Sequence, residues 1–381
     1  MIQWRIAFTK GLFPLKKQLI LSHNDILPDC LPPLLAWYSG QSDARELPWR
    51  PNPVPYHTWL SEIMLQQTRA SAVIPYYERF LTALPDIPSL AACDDEQLMK
   101  LWQGLGYYSR ARNLKKAAIA ICQQHGSKLP QDFTSLLALP GIGRYTASAI
   151  GAICWGKPWP AVDGNILRVV MRLLACDEDI TLARTKSAVE QALAPYYPTG
   201  SAAGDLNQAF MDLGASVCLP HGAPHCPQCP LQRLCLAHDC GQEQAYPVKT
   251  VKKPRRKEKR TVLLLVQDNT AVALHQRPAK GLLAGLWEFP NLDGHLDQRA
   301  IENWLLVHKL SAAHIEPLPA ARHIFSHVEW QLTGWRIEIG HTDAATVADA
   351  AGNLIWASRT ELADHYSLPS AFHYYLPELF Y

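Results

Sequence analysis

The sequence predicts a multidomain chain with an all-helical first part and an α+β second part. Three observations carry this reading. From about residue 31 to residue 215, apolar residues recur near every 3.6 positions, with frequent Pro and Gly stops. The twelve residues Lys249 to Arg260 then hold eight basic residues and one acid. Such a block is solvated and extended, so it reads as an interdomain linker with a second role in sliding along phosphates. After residue 260 the period moves toward two. Thr261 to Gln267, Ala271 to Arg277 and Trp330 to Ile339 read as strands, and Asn303 to Leu310 as a helix.

Composition bounds the rest. A chain of 381 residues with 48% hydrophobic content can bury more than one core. The net charge of +2 is too small for a global attraction to nucleic acid, so any such affinity is local. Six of the 10 cysteines (Cys30, Cys93, Cys122, Cys154, Cys176, Cys240) are scattered and read as small buried hydrophobes. The other four are clustered, which points to metal chemistry in a reducing, cytoplasmic setting and not to disulfides. No apolar run reaches the ~18 residues of a membrane span. The first 22 residues carry Arg5, Lys10, Lys16 and Lys17 and no acid. They read as a basic arm or the product of an upstream start, with a targeting peptide as the alternative, and residues 1–30 are set aside from the fold.

Along the helical part, Glu62 lies in Trp59-Leu60-Ser61-Glu62-Ile63-Met64-Leu65-Gln66-Gln67-Thr68, with Gln66 on its helix face at i+4. Among apolar neighbours such a glutamate is costly to ionise and suits a general acid; its bland reading is an exposed surface residue. Trp102 to Tyr108 has a Gly-Leu-Gly tip followed by paired tyrosines and by Arg110 and Arg112, which fits an aromatic wedge with phosphate contacts or a packed core. In Leu139-Pro140-Gly141-Ile142-Gly143-Arg144-Tyr145, Gly141 and Gly143 can take positive φ. A helix opening after Gly143 would aim its N–H groups at a phosphate.

Asp163 opens the next helix. Its plain reading is an N-cap, and amide bonds at the positive helix end would keep it ionised, as stabilising a sugar cation requires. Ile166, Val169, Val170, Leu173 and Leu174 form one buried face behind it. Asp205 and Gln208 resemble a capping box for the following helix. Cys218-x7-Cys226-x2-Cys229-x5-Cys235 places four thiols within 18 residues. Two chemistries fit: a four-iron cluster, favoured by the compact single loop, or a zinc site drawing on His221, His225 or His238.

Leu47-Pro48-Trp49, Trp59 to Thr68, Gly104 to Leu114, Leu139 to Ala147, Val162 to Arg168 and the cysteine cluster together resemble the adenine DNA glycosylase (MutY) family of helix-hairpin-helix DNA glycosylases. The resemblance spans nearly everything after residue 30. It implies an N-terminal extension (1–30), a helix-hairpin-helix glycosylase domain (31–216), an iron–sulfur loop (217–240), a basic linker (241–260) and a Nudix-like lesion-recognition domain (261–381). It implies that Glu62 protonates adenine, that Asp163 stabilises the sugar cation and that Asn165 supports it. Tyr145 stands where strand-nicking endonuclease III-like relatives carry a Schiff-base lysine, which implies base removal without strand cleavage.

Gln67 and Tyr107 match residues that probe the base stack, and Arg69, Gly141, Gly143 and Arg144 are expected at the DNA. Cys218, Cys226, Cys229 and Cys235 would hold a [4Fe-4S] cluster, although the seven-residue first spacer is one longer than the family's usual one. Phe325-Ser326-His327 matches the loop that reads 8-oxoguanine, whose N7–H is a donor where guanine presents an acceptor. No Arg-Glu-x-x-Glu-Glu run follows residue 260, so pyrophosphate hydrolysis is not expected. The implied substrate is duplex DNA with adenine opposite 8-oxoguanine or guanine. The implied actor is a monomer without membrane contact, cytoplasmic and nucleoid-associated in a bacterium, that prevents G:C to T:A mutation. A glycosylase for oxidised pyrimidines and a non-enzymatic damage binder are the alternatives.

Overall fold

The computed structural model describes residues 24–40, 46–51, 53–250, 254–340 and 354–379. The extension read at 1–30 therefore lies outside the described residues up to residue 23. The helical part runs α1 (Leu27–Ser39), α2 (Pro55–Leu65), α3 (Ala70–Ala83), α4 (Ile87–Ala92), α5 (Asp95–Trp102), α6 (Ser109–Gln124), α7 (Phe133–Ala138), α8 (Arg144–Trp155), α9 (Gly164–Leu173), α10 (Ala183–Leu193), α11 (Ala202–Ser216) and the short α12 (Leu236–Asp239). Among the described residues no helix is long and apolar enough to cross a membrane. The backbone divides into two compact units, one of Met1–Glu46 with Arg144–Thr250 and one of Leu47–Gly143 with Val251–Tyr381.

The first unit is built on α9 and α11. The expected apolar face of α9 is buried against Leu206, Phe210 and Leu213 of α11, Leu31 and Leu34 of α1, and Val189 and Leu193 of α10. Each such side chain contributes about 1.5–3 kcal/mol on burial. α1 opens at Leu27, with Leu27 and Cys30 buried in this core and a proline in its first turn, where a missing N–H costs nothing. The capping box expected at Asp205 is not formed. The N-cap of α11 is Ser201, and Asp205 sits inside the first turn. Gly200, in the left-handed region at φ +71°, turns the chain early, so the helix starts before the aspartate. Gln208 instead accepts the Tyr38 hydroxyl at 2.9 Å.

In the second unit, α2 packs on α3 and α6, and α4 and α5 on α6. Trp59, Phe80 and Trp102 are fully buried there. The remainder of this unit is a mixed sheet: β1 (Arg256–Gln267), β2 (Ala271–Gln276), β3 (Trp287–Glu288), β4 (Asn291–Asp293), β5 (Ala312–Ile324), β6 (Val328–Ile339) and β7 (Leu354–Ser358). Among the described residues the order is β3-β2-β1-β6-β5, with β4 on β1 and β7 on β2. The central pair β1–β6 is parallel, in register from Arg256↔Val328 to Gln267↔Ile339.

Period-two alternation splits β1 between two cores. Val262, Leu264 and Val266 meet Phe372 and Tyr375 of the 3-10 segment Ser370–Glu378. Leu263 and Leu265 meet Ile301 and Leu305 of α13 (Gln298–Val307). A short α14 (Arg359–Asp364) follows β7.

Three boundaries differ from the sequence reading. β1 begins at Arg256, so the end of the basic block is strand and not linker; Lys257 to Arg260 pair with Glu329 to Leu332 of β6. α13 starts at Gln298, capped by Asp297 through the Ala300 amide at 2.9 Å, and its polar first turn masked the onset. β5 was not anticipated because it carries Pro317 and Pro319. Its mostly exposed burial pattern marks an edge strand, where proline is tolerated.

Candidate active site

Glu62 lies on α2 in the second unit and is 5% exposed, between Ser61 and Ile63, which are also buried. The surface reading of this glutamate is therefore excluded. Gln66 is not its helical neighbour. α2 ends at Leu65, and the chain turns at Gln67, whose φ of +61° is left-handed. Tyr107 also adopts a left-handed φ, +50°. Non-glycine residues held there are strained and cluster at functional surfaces. Gln67 and Tyr107 line one cavity of about 230 Å³ with Ile63, Asn113 and Gly141. They also line a second of about 730 Å³ with Phe325, Ser326 and His327. Gln67 and Arg69 are exposed, and Tyr107 is 45% exposed.

Arg110 is turned inward, in line with the packed-core alternative. It is 8% exposed. Its Nη1 donates to the carbonyls of Ile63 (2.9 Å), Met64 (2.8 Å) and Gln66 (2.6 Å). Its Nη2 donates to Leu105 (3.1 Å), Gly106 (3.0 Å) and the Thr68 hydroxyl (3.4 Å). Burial lowers its pKa to about 10, a drop that the nearby Tyr107 opposes. Arg112 donates to the Ala284 carbonyl at 2.9 Å.

The Phe325–His327 turn joins β5 to β6. The Phe325 amide donates to the Val328 carbonyl at 2.8 Å, and the ring packs edge-on to Trp330 with centroids 5.0 Å apart. Ser326 and His327 are exposed. The Ser326 and Tyr107 hydroxyls are 2.7 Å apart and hydrogen-bonded.

In the first unit Asp163 caps α9. Its Oδ1 accepts the amides of Asn165 (2.9 Å) and Ile166 (2.8 Å), and its Oδ2 accepts Asn165 Nδ2 at 2.8 Å. Asn165 Oδ1 in turn accepts Arg168 Nη2 at 2.8 Å, and Arg168 Nε donates to the Cys218 carbonyl at 2.8 Å. Gly214 on α11 makes room for this chain: a Cβ there would lie 2.6 Å from Asn165 Cβ. The capping that favours the ionised form of Asp163 meets an opposing effect. Burial raises its pKa, and the bonds from Ile166 and Asn165 and the charge of Arg168 only partly oppose that. Desolvation outweighs the cap because the carboxylate loses bulk water as well as gaining amides.

At the hairpin, Gly141 has φ +79°, and a Cβ there would lie 2.9 Å from Asn113 Cβ. Gly143 does not share the left-handed φ. It immediately precedes α8, and a Cβ there would meet nothing within 4 Å. Arg144, at the start of α8, pairs with Glu190 at 2.5 Å while remaining largely exposed. Tyr145 is half-buried, with its hydroxyl 4.0 Å from Met211 Sδ and the Lys186 ammonium 5.8 Å from its ring centre.

Cys218, Cys226, Cys229 and Cys235 line a single small cavity with Arg172, Gln232, His238 and Glu243. Burial pushes the Cys229 thiol up to about 12 and the Cys235 thiol to about 11, with the neighbouring cysteines adding to both shifts. Arg172 Nη1 donates to Cys218 Sγ at 3.1 Å. Cys226, His238 and Glu243 bring three donor atoms within 4.8 Å of one another. Both ring nitrogens of His238 are already engaged, however, by Glu243 (2.6 Å) and Gln232 (2.9 Å). His221 and His225 are exposed.

Four thiols thus line the cavity together with the hydrogen-bonded His238–Glu243 pair. Of the scattered cysteines, Cys30, Cys93 and Cys176 are buried as expected, Cys122 and Cys154 are only partly buried, and Cys240, in the turn after α12, is exposed. The sequence reading gave no role to Arg172 and Arg168, buried on the otherwise apolar α9. Their signal was two arginines four apart within a helix that holds no acid of its own.

Residues 60–198 match the model of the HhH-GPD superfamily of base excision DNA repair proteins, and residues 261–378 match the NUDIX domain. The adenine DNA glycosylase of Mus musculus is 32% identical, over 90% of this chain and 77% of the mouse protein. That of Homo sapiens is 34% identical, over 84% of this chain and 68% of its own length. A thermostable thymine-DNA glycosylase superimposes with a TM-score of 0.50 at 26% identity, covering 57% of this chain and 97% of that one.

Proposed function

The chain belongs to the adenine DNA glycosylase family, and from that premise we propose that it removes adenine paired with 8-oxoguanine or guanine and leaves the strand intact. The observation that carries the lesion reading is the Tyr107–Ser326 hydroxyl pair at 2.7 Å. It joins a residue proposed to enter the base stack to one proposed to read N7 of the opposing base. If Ser326 donates its proton to Tyr107, its lone pairs face outward. That oxygen accepts the N7–H of 8-oxoguanine and meets the bare N7 of guanine with repulsion.

The adenine leaves the stack to reach the chemistry. Glu62 gives its proton to the base at N7. The bond between C1′ and N9 then breaks, and its electron pair departs with the base. The Asp163 carboxylate, held by Asn165, stabilises the sugar cation. Water adds to C1′ and returns a proton to Glu62. Position 145 supplies no amine for a Schiff base, in keeping with an enzyme that cuts no phosphodiester. Gln67, Arg69, Gly141, Gly143, Arg144 and His327 are assigned to DNA contact.

The four thiols around one cavity fit a [4Fe-4S] cluster held by Cys218, Cys226, Cys229 and Cys235, and the engaged His238 argues against a mixed Cys/His zinc site. When bound, the cluster cross-links the loop from Cys218 to Cys235 through iron–thiolate bonds. Arg172 and Arg168 tie that loop to α9 by hydrogen bonds to Cys218 Sγ and the Cys218 carbonyl. We assign residues 27–216 to the excision domain, 217–240 to the cluster loop and 256–381 to lesion recognition, in a monomer working in the reducing cytoplasm.

A single-turnover reaction on a duplex with one adenine opposite 8-oxoguanine tests this reading. Free adenine and an unbroken strand with an alkali-labile site are expected. Strand scission without alkali would place the chain with the lyases, and binding without adenine release would make it a damage sensor.

A further inference from the structure

Gln67 and Tyr107 stand on two different loops, one after α2 and one before α6. Each loop holds its residue at a left-handed φ. Such a conformation is strained and persists only where surroundings over-determine it. One side chain contacts both loops. The Arg110 guanidinium inserts between the loops, with Nη1 serving the carbonyls of Ile63, Met64 and Gln66 and Nη2 serving Leu105 and Gly106.

The Gly106 carbonyl is doubly engaged, because Trp102 Nε1 also donates to it at 3.1 Å. The guanidinium carbon lies 5.4 Å from the Trp102 ring centre and 5.5 Å from that of Tyr107. The last carbonyls of α2, which lack helical partners, thus share one planar cation with the loop that carries Tyr107.

We infer that Arg110 is a positioning residue that locks the Gln67 loop and the Tyr107 loop into one rigid probe, so that the two side chains engage DNA as a unit. The inference rests on the reading that both residues enter the base stack. A lysine cannot replace the arginine here. It offers one compact ammonium in place of a planar fork and cannot bridge carbonyls on both loops while packing against two rings.

The test is a double-mutant cycle of Gln67→Ala and Tyr107→Leu. Its readout is binding to a duplex in which 2′-fluoro-2′-deoxyadenosine, which resists cleavage, stands opposite 8-oxoguanine. With Arg110 present, the double variant is expected to bind about tenfold more tightly than the product of the single losses implies, because either loss already disables the unit. In the Arg110→Lys background the same cycle is expected to become additive.

Additive losses with Arg110 intact would overturn the inference even if Arg110→Lys failed to fold. Undiminished coupling in a folded Arg110→Lys chain would overturn it as well. A purely structural arginine would lower the melting temperature and leave the coupling unchanged. Failure of the underlying reading has a different signature: the unsubstituted chain would not prefer the lesion duplex over a matched one.

Discussion

Asp163→Asn separates the structural duty of this residue from its chemical one. Asparagine caps helices about as well as aspartate, and its Oδ1 can keep the amides of Asn165 and Ile166. What changes is the second oxygen. A new amide NH₂ would face Asn165 Nδ2, which cannot turn away because its own Oδ1 is held by Arg168 at 2.8 Å. Loss of that charge-assisted bond costs about 1.5–3 kcal/mol. The opposing effect is relief of a carboxylate that burial disfavours.

The sign of the pH dependence follows. The folded-state pKa of Asp163 is raised, so the native chain binds more protons here than the unfolded chain does. The stability this group contributes is therefore full below the ordinary aspartate range and is lost as pH rises through the raised value. Asp163→Asn removes that loss. Urea unfolding across an acid-to-neutral series should show the variant gaining on the native chain as pH rises. Over the same series adenine release should fall about 10²–10³-fold, the usual effect of deleting one preorganised electrostatic partner. A native advantage that widens with rising pH, or release at the native rate, would refute the reasoning.

Gly141→Ala places a side chain at φ +79° and against Asn113, so it should destabilise by about 1–3 kcal/mol in denaturant melts; an unchanged midpoint would contradict the close approach. Ser326→Ala removes the acceptor for N7–H and should cut the preference for 8-oxoguanine over guanine by a factor matching about 1–3 kcal/mol in competition binding, with general duplex affinity retained. Cys229→Ser should lose iron–sulfur absorbance in the visible and melt at lower temperature. Zinc in place of iron in the purified native chain would contradict the iron–sulfur assignment.

Much of the helical scaffold was legible because α9 and α11 are amphipathic and close one core. β1 was legible because its two faces alternate onto two cores. The cysteine loop was legible by spacing. Other features depend on contacts distant in sequence. Nothing local distinguishes Arg110 from the half-buried Arg112 beside it; only the return of the α2 carbonyls makes the Arg110 guanidinium an internal cross-link. Glu62 could be read as surface or interior until α2 was seen to be buried on both sides of it. At Asp163 the cap was legible and the desolvation that opposes it was not, because desolvation depends on the whole packed unit and the capping bonds only on neighbours. β5 was hidden by its prolines, which an edge position allows.

The central claim is that Glu62 supplies the proton that makes adenine a leaving group. The direct measurement is the single-turnover rate of adenine release from an adenine:8-oxoguanine duplex by Glu62→Gln, with duplex affinity measured alongside. The substitution preserves shape in a buried site and removes only the transferable proton. A loss of at least about 10²-fold in rate with affinity preserved is the predicted result. Release at the native rate would contradict it.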